Sequence, residues 1–333
     1  MERPSSGPVL VTGGTGFIGS HLVELLLGRG HEVTCLVRDP ERLRWLRGLP
    51  VRILRGDCTQ PDSLAAAVRG AAVVYHVAGL TKAFRPQDFY AVNQQGTRSL
   101  LEACAAHAPG LRKFVLVSSL AAAGPGSAGR PVSDRDAPHP VTDYGRSKLM
   151  AEEETLRFKD RFPVVIVRPS AVYGPRDTDV LELFRWAAKG FLIDLAGGDR
   201  FLQWCYVGDL ADLLLAAGER EVRSGSIYFA AEDRVYSTTE SHEALLRSGG
   251  VSARIITVPV GMGYLIGALS ELAGRLRGRT TIMNRQKVRE AVQQYWTCDL
   301  GRTRAELGCS ARVALDEGFA RTWTWYRAER WIR

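Results

Sequence analysis

From its amino end the chain alternates short apolar runs with longer stretches of helical spacing. Val9-Leu10-Val11 is the first apolar run. A glycine-rich turn follows, and Phe17 to Leu27 then carries apolar residues at helical spacing. Glu32 to Val37, Arg52 to Arg55 and Ala71 to Val77 read as the next three strands. Asp88 to Ala106 reads as a long helix, Lys113 to Ser118 as a fifth strand, Thr142 to Phe158 as a second long helix and Val164 to Val167 as a sixth strand. Strands separated by helices imply parallel βαβ units. Unbroken apolar runs such as Phe114 to Val117 suit strands covered on both faces. After about Gly174 the alternation lapses, with helices expected near Leu181 to Lys189, Asp209 to Ala217 and Thr239 to Arg247. The predicted architecture is α/β: a doubly wound parallel sheet over 8–174 and a smaller, irregular substrate lobe over 175–333, parts of which return to the core.

Length and composition narrow this picture. The 333 residues suit about two units at roughly 150 residues each. An apolar share of 45% and a charged share of 24% exclude disorder, collagen and a disulfide-dense mini-protein. The six cysteines form no CxxC pair, and the six histidines have no ligand spacing, so no metal site is expected. Met1 to Pro8 does not read as a signal peptide, and with free thiols this points to a cytoplasmic protein. The net charge is +8, of which Arg275, Arg277, Arg279, Arg285, Lys287 and Arg289 supply six. The remainder is nearly balanced, which argues against a nucleic-acid partner. The longest uncharged run, Ile255 to Ser270, is short for a transmembrane helix.

The glycine-rich turn carries the first chemistry. Thr12-Gly13-Gly14-Thr15-Gly16-Phe17-Ile18-Gly19 is GxxGxxG between a strand and a helix. Gly13 permits the tight turn, Gly16 lets backbone approach a pyrophosphate, and Gly19 lets the helix pack on the strand. The helix N-terminus then meets the anion with free N–H groups and a positive dipole end. Thr15, Phe17 and Ile18 belong to the same cofactor-binding turn. An acid at the end of the second strand would select NAD, whereas an Arg accommodates the 2′-phosphate of NADP. Val37 stands where the acid would be and Arg38 follows, so NADP(H) is the expected cofactor. NAD(H) is the alternative if Asp39 takes the acid's place.

Tyr144 and Lys148 stand four residues apart at the start of a helix, on one face. A phenol titrates near 10 when unperturbed. A nearby ammonium is expected to lower that value, so that Tyr144 exchanges a proton with a carbinol or carbonyl oxygen. Ser119, just past the fifth strand, is placed to orient that oxygen.

Together these motifs resemble the extended short-chain dehydrogenase/reductase family, the NAD(P)-dependent epimerase/dehydratase group. The resemblance rests on the 12–19 turn, Gly56-Asp57, His76 to Gly79, Asn93 to Thr97, Val117 to Ser119, Tyr144 with Lys148, Arg168 to Ser170 and Tyr206 to Leu210. It implies a Rossmann fold, and it implies roles at the matching positions. Asp57 and Cys58 would lie by the adenine, Ala78 and Gly79 would line the cofactor, and Asn93 would support the nicotinamide side. Pro169, Ser170 and Val172 would approach the carboxamide, and Lys148 would also hold the ribose. Ser119 falls on the family's catalytic serine. A homodimer through the two long helices is expected by analogy.

The reaction is narrowed by what is missing. The family's sugar dehydratases carry an Asp-Glu pair after the catalytic Ser/Thr; here Leu120 to Ala123 follow. Its sugar-nucleotide enzymes carry an Arg where Leu202 stands, with Arg200 two residues early. Trp204, Phe201 and Phe191 suggest an apolar pocket, with core packing as the alternative. The pattern is closest to the dihydroflavonol 4-reductase and 3β-hydroxysteroid dehydrogenase branch. That implies an oxidoreductase acting on a ketone/alcohol pair of a steroid-, flavonoid- or lipid-like substrate. A sugar-nucleotide 4-epimerase with retained NAD and a non-catalytic cofactor-binding protein are the alternatives. The apolar run and the basic residues of 255–289 suggest peripheral membrane contact, or else a helix that covers the substrate pocket.

Overall fold

The structure is a computed structural model. It describes residues 7–195, 198–277 and 284–332, the side chains of 272–277 excepted. Seven strands form the main sheet: β1 (Val9–Thr12), β2 (Val33–Val37), β3 (Arg52–Arg55), β4 (Val73–His76), β5 (Lys113–Val117), β6 (Val164–Pro169) and β7 (Ser226–Ala230). Their spatial order is β3-β2-β1-β4-β5-β6-β7, and every pairing is parallel. The order reverses at β1, which pairs with β2 on one side and β4 on the other. Such a switch point opens a crevice beyond the carboxyl ends of the strands. This is the doubly wound Rossmann sheet implied by the sequence.

The helices are α1 (Phe17–Gly28), α2 (Gly96–His107), α3 (Asp143–Leu156), α4 (Leu181–Ala188), α5 (Val207–Glu219), α6 (Thr238–Gly249), α7 (Val260–Arg277), α8 (Arg285–Ala291) and α9 (Leu315–Ala328). The central strands are largely apolar because both of their faces are covered, whereas the edge strand β3, Arg52–Arg55, is partly exposed. Val9, Val11, Val115, Val117, Val165 and Val167 turn to one side, against Leu22 and Leu26 of α1 and Leu210 and Leu214 of α5. Leu10, Phe114, Leu116, Val164 and Ile166 turn to the other, against Leu100 and Cys104 of α2 and Ala151 of α3. The two-residue period of the pleat sorts them.

The carboxyl half builds a separate aromatic core. Phe184 of α4 meets Phe319, Trp323 and Tyr326 of α9 edge-on, at centroid distances of 5.5, 4.9 and 5.1 Å. Trp204 belongs to this core and donates from Nε1 to the Ser241 hydroxyl at 3.1 Å. Phe201 stacks on Tyr295 and Phe191 on Trp186. The pocket reading of these three aromatics is therefore corrected: they hold the lobe together. The same half also feeds the Rossmann sheet, through α5 and β7.

Two predicted elements are divided. The helix expected over 88–106 is broken by a π-helical turn at Tyr90–Gln95, which precedes α2. The uncharged run Ile255 to Ser270 is split at Pro259, which ends the strand Arg254–Val258 before α7 begins. No helix among the described residues is long and apolar enough to cross a membrane.

Candidate active site

At the switch point the chain turns too tightly for side chains. Gly13 has φ +74°, and a Cβ there would stand 2.7 Å from the Ala78 amide nitrogen. A Cβ on Gly19 would stand 2.2 Å from the Gly13 carbonyl. The Gly16 N–H donates to the Gly13 carbonyl at 2.9 Å and closes the turn. α1 begins at once, with no side-chain cap and no acid in its first turn. Its first N–H groups face the crevice with their positive dipole end. The bare backbone cradle and this helix end fit the pyrophosphate of a dinucleotide, and Gly13, Thr15, Gly16, Phe17, Ile18 and Gly19 all lie there.

The other candidate residues lie at the carboxyl ends of successive strands. Arg38 is exposed just past β2. Asp39 is engaged elsewhere, accepting from the Glu41 N–H at 3.0 Å and pairing with Arg42 at 3.2 Å. Past β3, Asp57 accepts from the Thr59 N–H and hydroxyl at 2.9 Å each. Cys58 is buried, and its thiol is pushed up to about 12, chiefly by burial. At the end of β6, Ser170 donates to the Gln203 carbonyl at 2.7 Å, while Val172 lies in a short strand paired with Cys205. Pro169 closes β6 itself.

A buried chain of hydrogen bonds fixes the loop after β4. The Ala78 N–H donates to the Thr12 hydroxyl at 3.2 Å, and that hydroxyl meets His76 Nδ1 at 2.7 Å. His76 Nε2 meets the Thr97 hydroxyl at 2.9 Å, and Thr97 donates to the Asn93 carbonyl at 2.5 Å. With the Thr97 proton used on Asn93, the network assigns the His76 proton to Nε2. Burial, then the Lys148 charge, holds His76 down to about 3. Asn93 continues the chain, accepting from the Leu80 N–H at 2.8 Å and donating to Leu80 O at 3.1 Å and Ser147 Oγ at 2.9 Å. Asn93 thus sets the Ala78–Leu80 loop against α3. The π-helical turn carries Asn93, and irregular helix of this kind recurs at functional sites.

Ser119, Tyr144 and Lys148 converge at the ends of β5 and α3. Ser119 lies close enough to the Tyr144 phenol to draw its titration down. It also caps the short helix after it, accepting from the Ala121 N–H at 3.1 Å. Ser118 turns the other way, donating to Glu152, which Arg168 grips with two bonds of 2.9 and 2.6 Å. Lys148 is buried and donates to the Val117 carbonyl at 2.6 Å. Burial brings its ammonium down to about 8, with Glu152 opposing. The expected lowering of Tyr144 is corrected. Burial pushes this phenol up from its ordinary value, Ser119 draws it back, and Glu290 pushes it up further. The cation that draws it down is Lys287 of α8, within the 255–289 segment expected at a membrane or over the substrate pocket.

Tyr144 lines a cleft of about 460 Å³, walled by the Thr81–Phe89 segment, the start of α3, α7 and α8. Its lining is amphipathic. Phe84, Phe89, Val141 and Tyr264 supply apolar surface. The charges lie largely in pairs: Glu271 with Arg285 at 2.9 Å and Glu290 with Lys287 at 3.0 Å. Asp143 accepts from Tyr90 and Gln286 at 2.9 and 2.6 Å. Arg200 does not enter this cleft; it pairs with Asp194 and the Leu195 carbonyl. Asp209 lies in the first turn of α5 and accepts from the Val313 N–H at 3.1 Å, a structural placement. Arg275, Arg277 and Arg279 lie outside the described side chains. Among the described residues no group of His, Cys, Asp and Glu is arranged to hold a metal.

A model of the NAD dependent epimerase/dehydratase family matches residues 9–231. The chain is 34% identical to the ceramide reductase of Caulobacter vibrioides, over all of this chain and 98% of that one. It is 35% identical to human 3 beta-hydroxysteroid dehydrogenase type 7, over 69% of this chain and 70% of that one. The solved structure of MoeE5 in complex with UDP-glucose and NAD superposes with a TM-score of 0.79 at 25% identity, over 97% of this chain and all of that one.

The buried His76 network makes the fold acid-sensitive. The ring stays neutral in the folded state down to about pH 3, whereas in the unfolded chain it titrates near 6.5, the ordinary value of an imidazole. As pH falls through 6.5 the unfolded chain takes up a proton that the folded one refuses, so stability is lost progressively toward pH 3. Urea unfolding of the protein should lose about 2 kcal/mol more between pH 7 and pH 5 than a His76→Asn variant does. Equal losses in both would show that His76 does not carry this sensitivity.

Proposed function

The chain belongs to the NAD dependent epimerase/dehydratase family, and within it we propose an NADP(H)-dependent oxidoreductase that interconverts a ketone and a secondary alcohol on a lipid-like substrate. One observation carries this reading. Tyr144, beside Ser119, faces an amphipathic cleft, and no carboxylate follows the serine in the chain. The two relatives named above, a ceramide reductase and a hydroxysteroid dehydrogenase, support the substrate class.

In the reductive direction the carbonyl oxygen accepts hydrogen bonds from the Ser119 and Tyr144 hydroxyls. A dinucleotide held by the Gly13–Gly19 turn would supply the hydride for the carbonyl carbon. Tyr144 gives its proton to the developing alkoxide, so the alcohol leaves neutral. A phenol held above its ordinary value by burial keeps that proton until the alkoxide draws it. Lys287 stabilises the phenolate left behind, and Lys148, charged below about pH 8, would hold the nicotinamide ribose. Leu120 to Ala123 supply no acid or base, so water elimination has no agent at this serine.

A sugar-nucleotide substrate is disfavoured by the same geometry. Arg200 is committed to Asp194, Leu202 stands in a short strand, and two of the three cations of α8, Arg285 and Lys287, are matched by Glu271 and Glu290. A diphosphate would meet paired charges at those two positions. For the cofactor, exposed Arg38 would take the 2′-phosphate, while Asp39 is held by its own turn and Arg42.

Replacing Tyr144 with Phe should lower kcat on a long-chain ketone by roughly 10²–10⁴-fold while dinucleotide affinity stays unchanged. An active Phe variant removes Tyr144 from the chemistry. Replacing Arg38 with Ala should raise KM for NADPH by roughly ten- to a hundredfold and leave that for NADH nearly untouched. An equal effect on both cofactors would contradict the NADP assignment.

A further inference from the structure

Eight large apolar side chains stand exposed among the described residues, and all but Val235 belong to the segments walling the cleft or leading into them. Phe84 lies on the Thr81–Phe89 segment. Ile255 and Ile256 lie on the strand that leads into α7. The other four, Met262, Leu265, Ile266 and Leu269, recur at the i, i+3, i+4, i+7 spacing of one helix face, and they are 44–59% exposed.

The opposite side of α7 is the packed one. A Cβ on Gly263 would stand 2.5 Å from Leu195 Cδ1, and one on Gly267 would stand 3.0 Å from the Asn284 backbone. Tyr264 and Glu271 turn into the cleft. A covering helix of a water-exposed protein puts polar residues outward. Here the outward face is aliphatic, and a contiguous apolar surface of this kind marks an interaction site.

The charge around it selects the occupant. From Arg254 to Glu290 the sequence has seven basic residues and two acids, Glu271 and Glu290. A second copy of the chain would bring the same basic surface against itself across a two-fold axis. An anionic lipid surface matches both features: acyl chains take the aliphatic stripe and headgroups take the cations. We propose that the outer face of α7, with Ile255 and Ile256, docks on anionic membranes. The cleft that holds Tyr144 then opens at the bilayer interface. A lipid-like substrate passes from membrane to cleft without crossing water, and this passage rests on the proposed function; the docking itself does not.

Vesicle flotation with the full chain tests the docking without any turnover. The protein should float with vesicles of phosphatidylcholine containing a third phosphatidylglycerol, bind phosphatidylcholine alone far more weakly, and lose binding as salt rises. A Leu265→Glu/Leu269→Glu variant should bind at least about tenfold more weakly, with its thermal midpoint retained. Absence of flotation with anionic vesicles overturns the proposal, as does equal flotation of the variant. Conversion of a dimer to a monomer by the variant, read by light scattering, assigns the face to a second copy and overturns it too.

Discussion

The site depends on how closely β1 and β4 run past each other at their carboxyl ends. The backbone of Gly13 lies so near Ala78 that a single Cβ would put atoms 2.7 Å apart. Thr12 and His76 pair in register across the two strands, and their side chains share a buried hydrogen bond of 2.7 Å. From that contact the His76 ring carries order to Thr97, Asn93 and the Ala78–Leu80 loop, and Asn93 carries it on to Ser147 beside Lys148. A buried neutral imidazole suits this task because it donates on one side and accepts on the other. The glycine turn and α3 are thereby held by one polar chain inside an apolar core.

Burial also governs the chemistry. It pushes the Tyr144 phenol up and brings the Lys148 ammonium down to about 8, so each is biased toward its neutral form. Neutral phenol is the form that donates a proton. The positive charge near it comes partly from Lys287, on a helix nearly 150 residues away in sequence. The carboxyl half thus adds an electrostatic contribution to the Rossmann site as well as a wall for the cleft. The Ser118–Glu152–Arg168 cluster beneath is fully paired, which lets two opposite charges remain buried between α3 and β6.

The first six strands, the phosphate turn and the Tyr144/Lys148 pair were legible because each is local. An apolar run between turns, three glycines at set spacing and two residues four apart need no knowledge of distant chain. β7 escaped notice because it joins the sheet only after the lobe has been built, with Ser226 as its polar entry. The π-helical turn escaped because Tyr90 to Gln95 shares the composition of an ordinary helix; only the demand that Asn93 face Leu80 reveals it. His76 sat within a recognised motif, yet its hydrogen-bond role needs Thr12 and Thr97 brought to it from elsewhere in the chain. The direction of the Tyr144 shift was misread for a related reason. Spacing shows which charge is near, but not how much solvent is lost.

The central claim is a released cofactor that carries a hydride in and leaves, as a ketone reductase requires, in place of one retained through an internal redox cycle. Denaturing the purified protein and identifying the freed dinucleotide by mass spectrometry, with its stoichiometry, tests this most directly. Little bound nucleotide, or NADP that exchanges freely with added NADPH, is the result predicted here. Near-stoichiometric NAD that resists exchange would contradict both the reductase reading and the role given to Arg38.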